Sequence, residues 1–131
     1  MNEQFEKIKA TSLANGYVVS KELPEKGVIV IQKTEQNLEN IVLGINPPIL
    51  ILEMLVFTIK SNHETVFKKL LQKNRDMIHG AFVLDKSGKN IIYRDTLQLE
   101  NLDENEIIGT LNALELLMEE YLEEIQQFSK Y

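Results

Sequence analysis

Two histidines, a few carboxylates and a serine in a tight turn are the residues of this sequence whose types could do chemistry. A helical zinc pair needs histidines one turn apart; His63-Glu64 opens that pattern, but Phe67 stands where the second ligand would be. His63 therefore reads as a first-turn residue of a helix, and His79 as a strand-entry residue. Ser87 could be grouped on paper with a histidine and an aspartate, yet it lies in the turn Lys86-Ser87-Gly88-Lys89, without the strand-to-helix elbow that exposes a nucleophile. The same turn ends like a phosphate loop but lacks the preceding glycine and joins two strands instead of opening a helix. Asp85 and Asn90 have neither the spacing nor the closing glutamate of a calcium loop.

Two carboxylates are worth following. Burial of Glu53 among Leu52, Met54 and Leu55 would raise its pKa and mark a site, whereas a strand-edge or loop-facing Glu53 would mark none. Asp95 falls on the apolar row of its strand, with Ile91, Tyr93, Leu97 and Leu99, so it must be paired, edge-exposed or displaced by a bulge. A hydrolase built on Asp95, Glu53 or a histidine would need a partner motif that the sequence does not supply.

The elements that must position these residues are bounded by composition. A chain of 131 residues suits one domain with a real core. It has no cysteine, which excludes disulfides, thiolate ligands and a cysteine nucleophile. A net charge of −6, with Arg75 and Arg94 the only arginines, argues against nucleic acid, whose phosphates require clustered cations. Met1 to Lys7 is charged and periodic, unlike an export signal, and the apolar run Ile49 to Ile59 is too short to span a bilayer, so a cytoplasmic protein without a membrane partner is expected.

In order, the pattern predicts a helix from Glu3 to Ala14 with Phe5, Ile8 and Leu13 inward and a left-handed stop at Asn15-Gly16. Strands follow at Tyr17 to Leu23, Val28 to Ile31, Asn40 to Ile45 and Ile49 to Thr58, separated by Pro24-Glu25-Lys26-Gly27 and by Asn46-Pro47-Pro48. The second and fourth are apolar on both faces, so either helices or another subunit must cover both sides of the sheet. Ser61 and Glu64 predict a capping box for a helix from Asn62 to Arg75, with Val66, Phe67, Leu70 and Leu71 as its stripe. A strand pair, Gly80 to Asp85 and Asn90 to Leu99, closes on the turn at Gly88. The last helix enters through an Asp103/Glu106 capping box and a Leu102/Ile107 staple. Its stripe, from Ile107 through Leu114 and Met118 to Phe128, suits its own sheet or a seam with another chain, and its glutamates suit a solvated face. The expected fold is α+β, an antiparallel sheet of about five strands with three helices in the order α-β-β-β-α-β-β-α.

Leu70-Leu71-Gln72-Lys73-Asn74, His79 to Asp85, Ile91 to Leu97 and Leu102-Asp103 together resemble the YbjN-like family, clearest over Leu70 to Leu114. That bacterial family is similar in fold to the chaperones of type III secretion. The resemblance implies a non-enzymatic, often dimeric binding domain over residues 1–131, with no catalytic residues to carry over and with an extended client segment held along apolar sheet and helix grooves.

The functional expectation is a non-catalytic protein-binding module, chaperone- or adaptor-like and homodimeric, that presents apolar surfaces to a polypeptide. Ile51, Glu53, Leu55, Phe57, Phe67, Leu71, Tyr93 and Arg94 are the candidate contact residues, and no cofactor or metal is assigned. The alternative is a small-molecule or lipid binder with a pocket under the C-terminal helix near Glu53 and Tyr93.

Overall fold

Prolines and left-handed residues punctuate the first half of the chain, and a computed structural model describing residues 2–61 and 63–131 shows what they punctuate. Helix α1 (Asn2–Ala14) stops at Gly16, whose φ of 87° is the predicted left-handed turn, and Tyr17 donates its amide back to the Ser12 carbonyl. Its inward residues are Phe5, Ile8, Thr11 and Ser12. Leu13, expected inward, is half exposed; Ser12 takes the buried position because its hydroxyl donates to the Ile8 carbonyl at 2.8 Å.

Strands β1 (Val18–Leu23), β2 (Val28–Lys33) and β3 (Leu38–Asn46) are joined by single turns at Pro24–Lys26 and Thr34–Gln36, each closed by a left-handed residue, Gly27 and Asn37. Strand β4 (Ile49–Thr58) follows the Pro47-Pro48 turn. Helix α2 (Glu64–Asp76), strands β5 (Ala81–Leu84) and β6 (Asn90–Gln98) and helix α3 (Glu104–Phe128) complete the chain. All four extended segments ahead of α2 join the sheet, so it has six strands where about five were expected, in the order β1-β2-β3-β4-β6-β5. Every pairing is antiparallel.

The register decides which residues are core. Ile29 pairs with Leu43, Leu43 with Leu52, Leu52 with Asp95, Met54 with Tyr93 and Tyr93 with Phe82. This row is buried apart from Asp95 and packs beneath the helices, together with Phe5 and Ile8 from α1 and Leu111, Leu114 and Met118 from α3. The stripe of α3 is thus occupied by its own sheet, and the 25-residue helix is about 38 Å long. Asp103 accepts from the Glu106 amide at 2.8 Å as predicted, and Leu102 and Ile107 are both buried as a staple.

The cap of α2 is different. His63, rather than Ser61, is the capping residue: its Nδ1 accepts from the Val66 amide at 3.4 Å, and its ring stacks on Tyr131 with centroids 4.0 Å apart. Ser61 instead donates its hydroxyl to the Tyr131 carbonyl, from the bend between β4 and α2. The predicted start at Asn62 lies outside the described residues.

Candidate partner-binding surface

The opposite row of the sheet has no helix over it. Val30, Val42, Glu53, Arg94 and Ala81 pair in sequence across it, flanked by Ile51 with Thr96 on one side and by Leu55, Ile92 and Val83 on the other. Val42 is 38% exposed and Leu55 55%, both in central strands, where an apolar side chain left wet forgoes about 25 cal/mol per Å². Helices of this chain cover one face only.

Of the eight candidate residues, four meet here. Ile51, Glu53 and Leu55 lie on one side of β4, and Arg94 reaches across from β6 to set its Nε 3.4 Å from Glu53. Glu53 is neither buried among apolar neighbours nor at a strand edge. It sits half-exposed at the middle of an apolar face, neutralised by that arginine. Phe67 and Leu71 lie on α2, on the helix side of the sheet. Together with Phe82, Val83 and Leu84 of β5 they line a groove of about 230 Å³, and Leu71 is 69% exposed. Phe82 and Leu84 belong to the helix-side row, whereas Val83 of the open row also lines the groove, so the groove meets the open face at the β5 edge.

Two candidates are elsewhere. Simple alternation puts Phe57 beside Leu55, but a bulge between Leu55 and Phe57 adds a residue, and Phe57 turns inward to pair with Ile91 and meet Phe128, ring centroids 6.0 Å apart. Tyr93 is wholly buried on the helix side, where its hydroxyl donates to the His79 carbonyl at 3.0 Å. Burial, and then the Asp95 charge, push that hydroxyl well above its ordinary pKa.

Glu53 and Tyr93 therefore lie on opposite faces and cannot share a pocket. The cleft between α3 and the sheet, lined by Asp95, Thr110, Leu52 and Leu111 among others, measures about 10 Å³, roughly room for one water. Asp95 holds the Thr96 amide with one carboxylate oxygen at 2.9 Å, and its other oxygen is buried without a partner. His63, His79, Ser87, Glu53 and Asp95 are placed at a helix cap, a loop, a turn, the open face and the helix side of the sheet respectively, so no hydrolytic group is assembled from them. No three potential metal-ligating residues cluster among the described residues.

Sequence reasoning missed Val42, Val30 and Val83, whose exposure follows from register, and Asn74. The Asn74 side chain accepts from the Phe82 amide at 2.8 Å and donates to the Phe82 carbonyl at 3.1 Å, closing the outer edge of β5 as a neighbouring strand would. Also missed was the buried anchor of α3, in which the Tyr17 hydroxyl donates to Glu115 at 2.6 Å while Lys33 approaches the same carboxylate at 3.2 Å. Burial, reinforced by Glu115, raises the Tyr17 pKa.

Known structures share this architecture. Over the whole chain it is similar, at 12% identity and a TM-score of 0.64, to a structure of the HopA1-SchA chaperone-effector complex, 98% of whose chain is covered. It is also similar to a chain of the ExsC-ExsE complex at 19% identity and a TM-score of 0.66, covering 98% of this chain and 92% of that one. A third structure, of the Yersinia pestis type III secretion chaperone SycH with a stable fragment of YscM2, matches at 14% identity and a TM-score of 0.60 over 96% of this chain and 99% of that one. No curated protein matches by sequence. Residues 1–131 match the CesT_Tir_1 family throughout, and the chain belongs to this family of type III secretion chaperones.

Proposed function

We propose that this protein is a non-catalytic, cytoplasmic chaperone, one binding domain over residues 1–131, that works as a homodimer and holds a client polypeptide against the uncovered face of its sheet and along the α2–β5 groove. The observation carrying this reading is the uncovered apolar row of the sheet, which Val83 joins to the groove at the β5 edge. Ile51 and Leu55 lie on the open row around the Glu53–Arg94 pair, a polar landmark at its centre, and Val83 alone reaches over the β5 edge to the groove beside Phe67 and Leu71. An apolar face interrupted by one ion pair suits a polypeptide that alternates apolar contacts with a hydrogen-bonding group. The similar structures include a chaperone-effector complex and a type III secretion chaperone bound to a fragment of another protein, which supports the client reading. The YbjN-like pattern supports it too, since its asparagine and its strand-leading glycine are Asn74 and Gly80 beside the groove.

Light scattering with apolar-dye titration tests the dimer. The expected result is twice the chain mass, with dye binding that falls in Leu55→Asp. A strict monomer that binds no dye would end the dimer part of the proposal.

A further inference from the structure

The outer side of α3, on the helix-covered side of the sheet, carries a second surface that the client reading does not use. Leu116 forms its crest and is 64% exposed. On one flank, between α3 and the Thr34–Gln36 turn, lies a groove of about 580 Å³ bordered by Glu35 and Glu119, with Met118 and Leu122 among its apolar lining. On the other flank, between α3 and the segment joining α2 to β5, lies one of about 270 Å³ bordered by Asp76 and Glu120. Ile78 stands in this second groove 92% exposed, the most exposed large apolar side chain among the described residues. Single exposed apolar residues need no explanation, but Ile78 and Leu116 line one groove together.

Charge narrows what could cover them. No lysine or arginine lines either groove. Glu35, Asp76, Glu119 and Glu120 form no ion pair among the described residues, whereas Glu115 is already held by Lys33 and Tyr17. Four unpaired carboxylates around an apolar crest repel a second copy of the same face, an anionic lipid surface and a nucleic acid. A purely basic segment would leave Ile78 and Leu116 wet. We propose that this saddle docks a cationic amphipathic polypeptide segment, in which lysines or arginines flank an apolar anchor, contributed by a partner other than the client on the sheet face. The proposal does not rest on the client reading, because the saddle shares no residue with the open row or with the α2–β5 groove.

The probe is a fluorescently labelled synthetic peptide with lysine and leucine in amphipathic helical order, titrated against the full chain by anisotropy. Two peptides serve as controls, one with glutamate for lysine and one with serine for leucine. Saturable binding is expected for the lysine-leucine peptide alone, weakening when salt is raised to about 0.5 M, where the screening length falls to a few ångströms. The charge-reversed triple variant Glu35→Lys, Glu119→Lys, Glu120→Lys should weaken it by about ten-fold or more, and so should Ile78→Ser with Leu116→Ser, which keeps every charge. Val42→Ser with Leu55→Ser on the sheet face should leave it unchanged. Because the substituted side chains are exposed, circular dichroism should match the parent in each case. Parent-like binding by the charge-reversed protein, or loss of binding only in the sheet-face variant, would overturn the proposal. So would a change of oligomeric mass in the Ile78/Leu116 variant with peptide binding intact, which would make a second copy the occupant.

Discussion

Asp85 shows how much a single side chain can organise. It accepts from the Ser87 hydroxyl at 2.6 Å and from the Asn90 side-chain amide at 2.7 Å, so that the ionised carboxylate pins both ends of the turn. These bonds, that from Ser87 foremost, hold its pKa at about 2, below the ordinary value near 3.8. A depressed carboxylate stabilises the fold at pH above its unfolded value, and that contribution is lost as pH falls through the folded one. Asp85→Asn should therefore lower the melting temperature at neutral pH, and the gap to the parent should close between about pH 4 and pH 2 in a series of thermal melts. A gap independent of pH would show that the carboxylate's charge is not what matters. Gly80 is the second case. Its φ is 70°, and a Cβ there would collide with the Tyr93 ring, so Gly80→Ala should cost more than about 1 kcal/mol in a denaturant titration, with both strain and overpacking against it. Its position at the head of a strand was legible in the sequence; the ring it must clear was not, because Tyr93 lies 13 residues further along.

Elements were legible where local chemistry and tertiary demand agree. Strand β4 runs from Ile49 to Thr58 as its composition predicts, because the Pro47-Pro48 turn ends one strand and β-branched and apolar residues sustain the next. Helix α3 begins where Asp103 says it should. Asp103→Ala should cost about 1 kcal/mol in thermal or chemical unfolding, the ordinary worth of a side-chain cap, and Asp103→Asn should restore most of it. Equal stability for alanine and aspartate would mean that the Leu102/Ile107 staple alone fixes the helix start. Where the sequence misled, an unlocal cause can be named. Alternation assigned Phe57 to the partner surface, but the bulge at Val56 is fixed by the pairing of β4 with β6, which one strand's composition does not encode. Ser61 looked like a cap because it precedes Glu64 by three residues, yet stacking on Tyr131 favours His63 at that position.

For the whole molecule, the division into a covered and an uncovered sheet face governs both the candidate surface and the limits of sequence reading. That both sides of the sheet would need covering was legible, since β2 and β4 carry apolar residues on both faces. Which strand rows remain open depends on the placement of all three helices on one face, and that is a property of the tertiary packing. The α3 saddle depends further on juxtaposing Ile78 with Leu116 across 38 residues of chain. Leu55→Asp and Val42→Asp alter exposed positions away from caps and core, so each should change stability by only about 0.5 kcal/mol while removing apolar contact area from any client. That separation of folding from binding makes the pair a direct probe. The decisive measurement is affinity purification of the tagged chain from its native cells beside the Val42→Asp, Leu55→Asp double variant, with quantitative mass spectrometry of what each retains. A polypeptide recovered near stoichiometry with the parent and lost with the variant is the predicted result. Recovery of the same polypeptide in equal yield from both, or of the bait alone from the parent, would contradict the assignment of the open sheet face as the client surface.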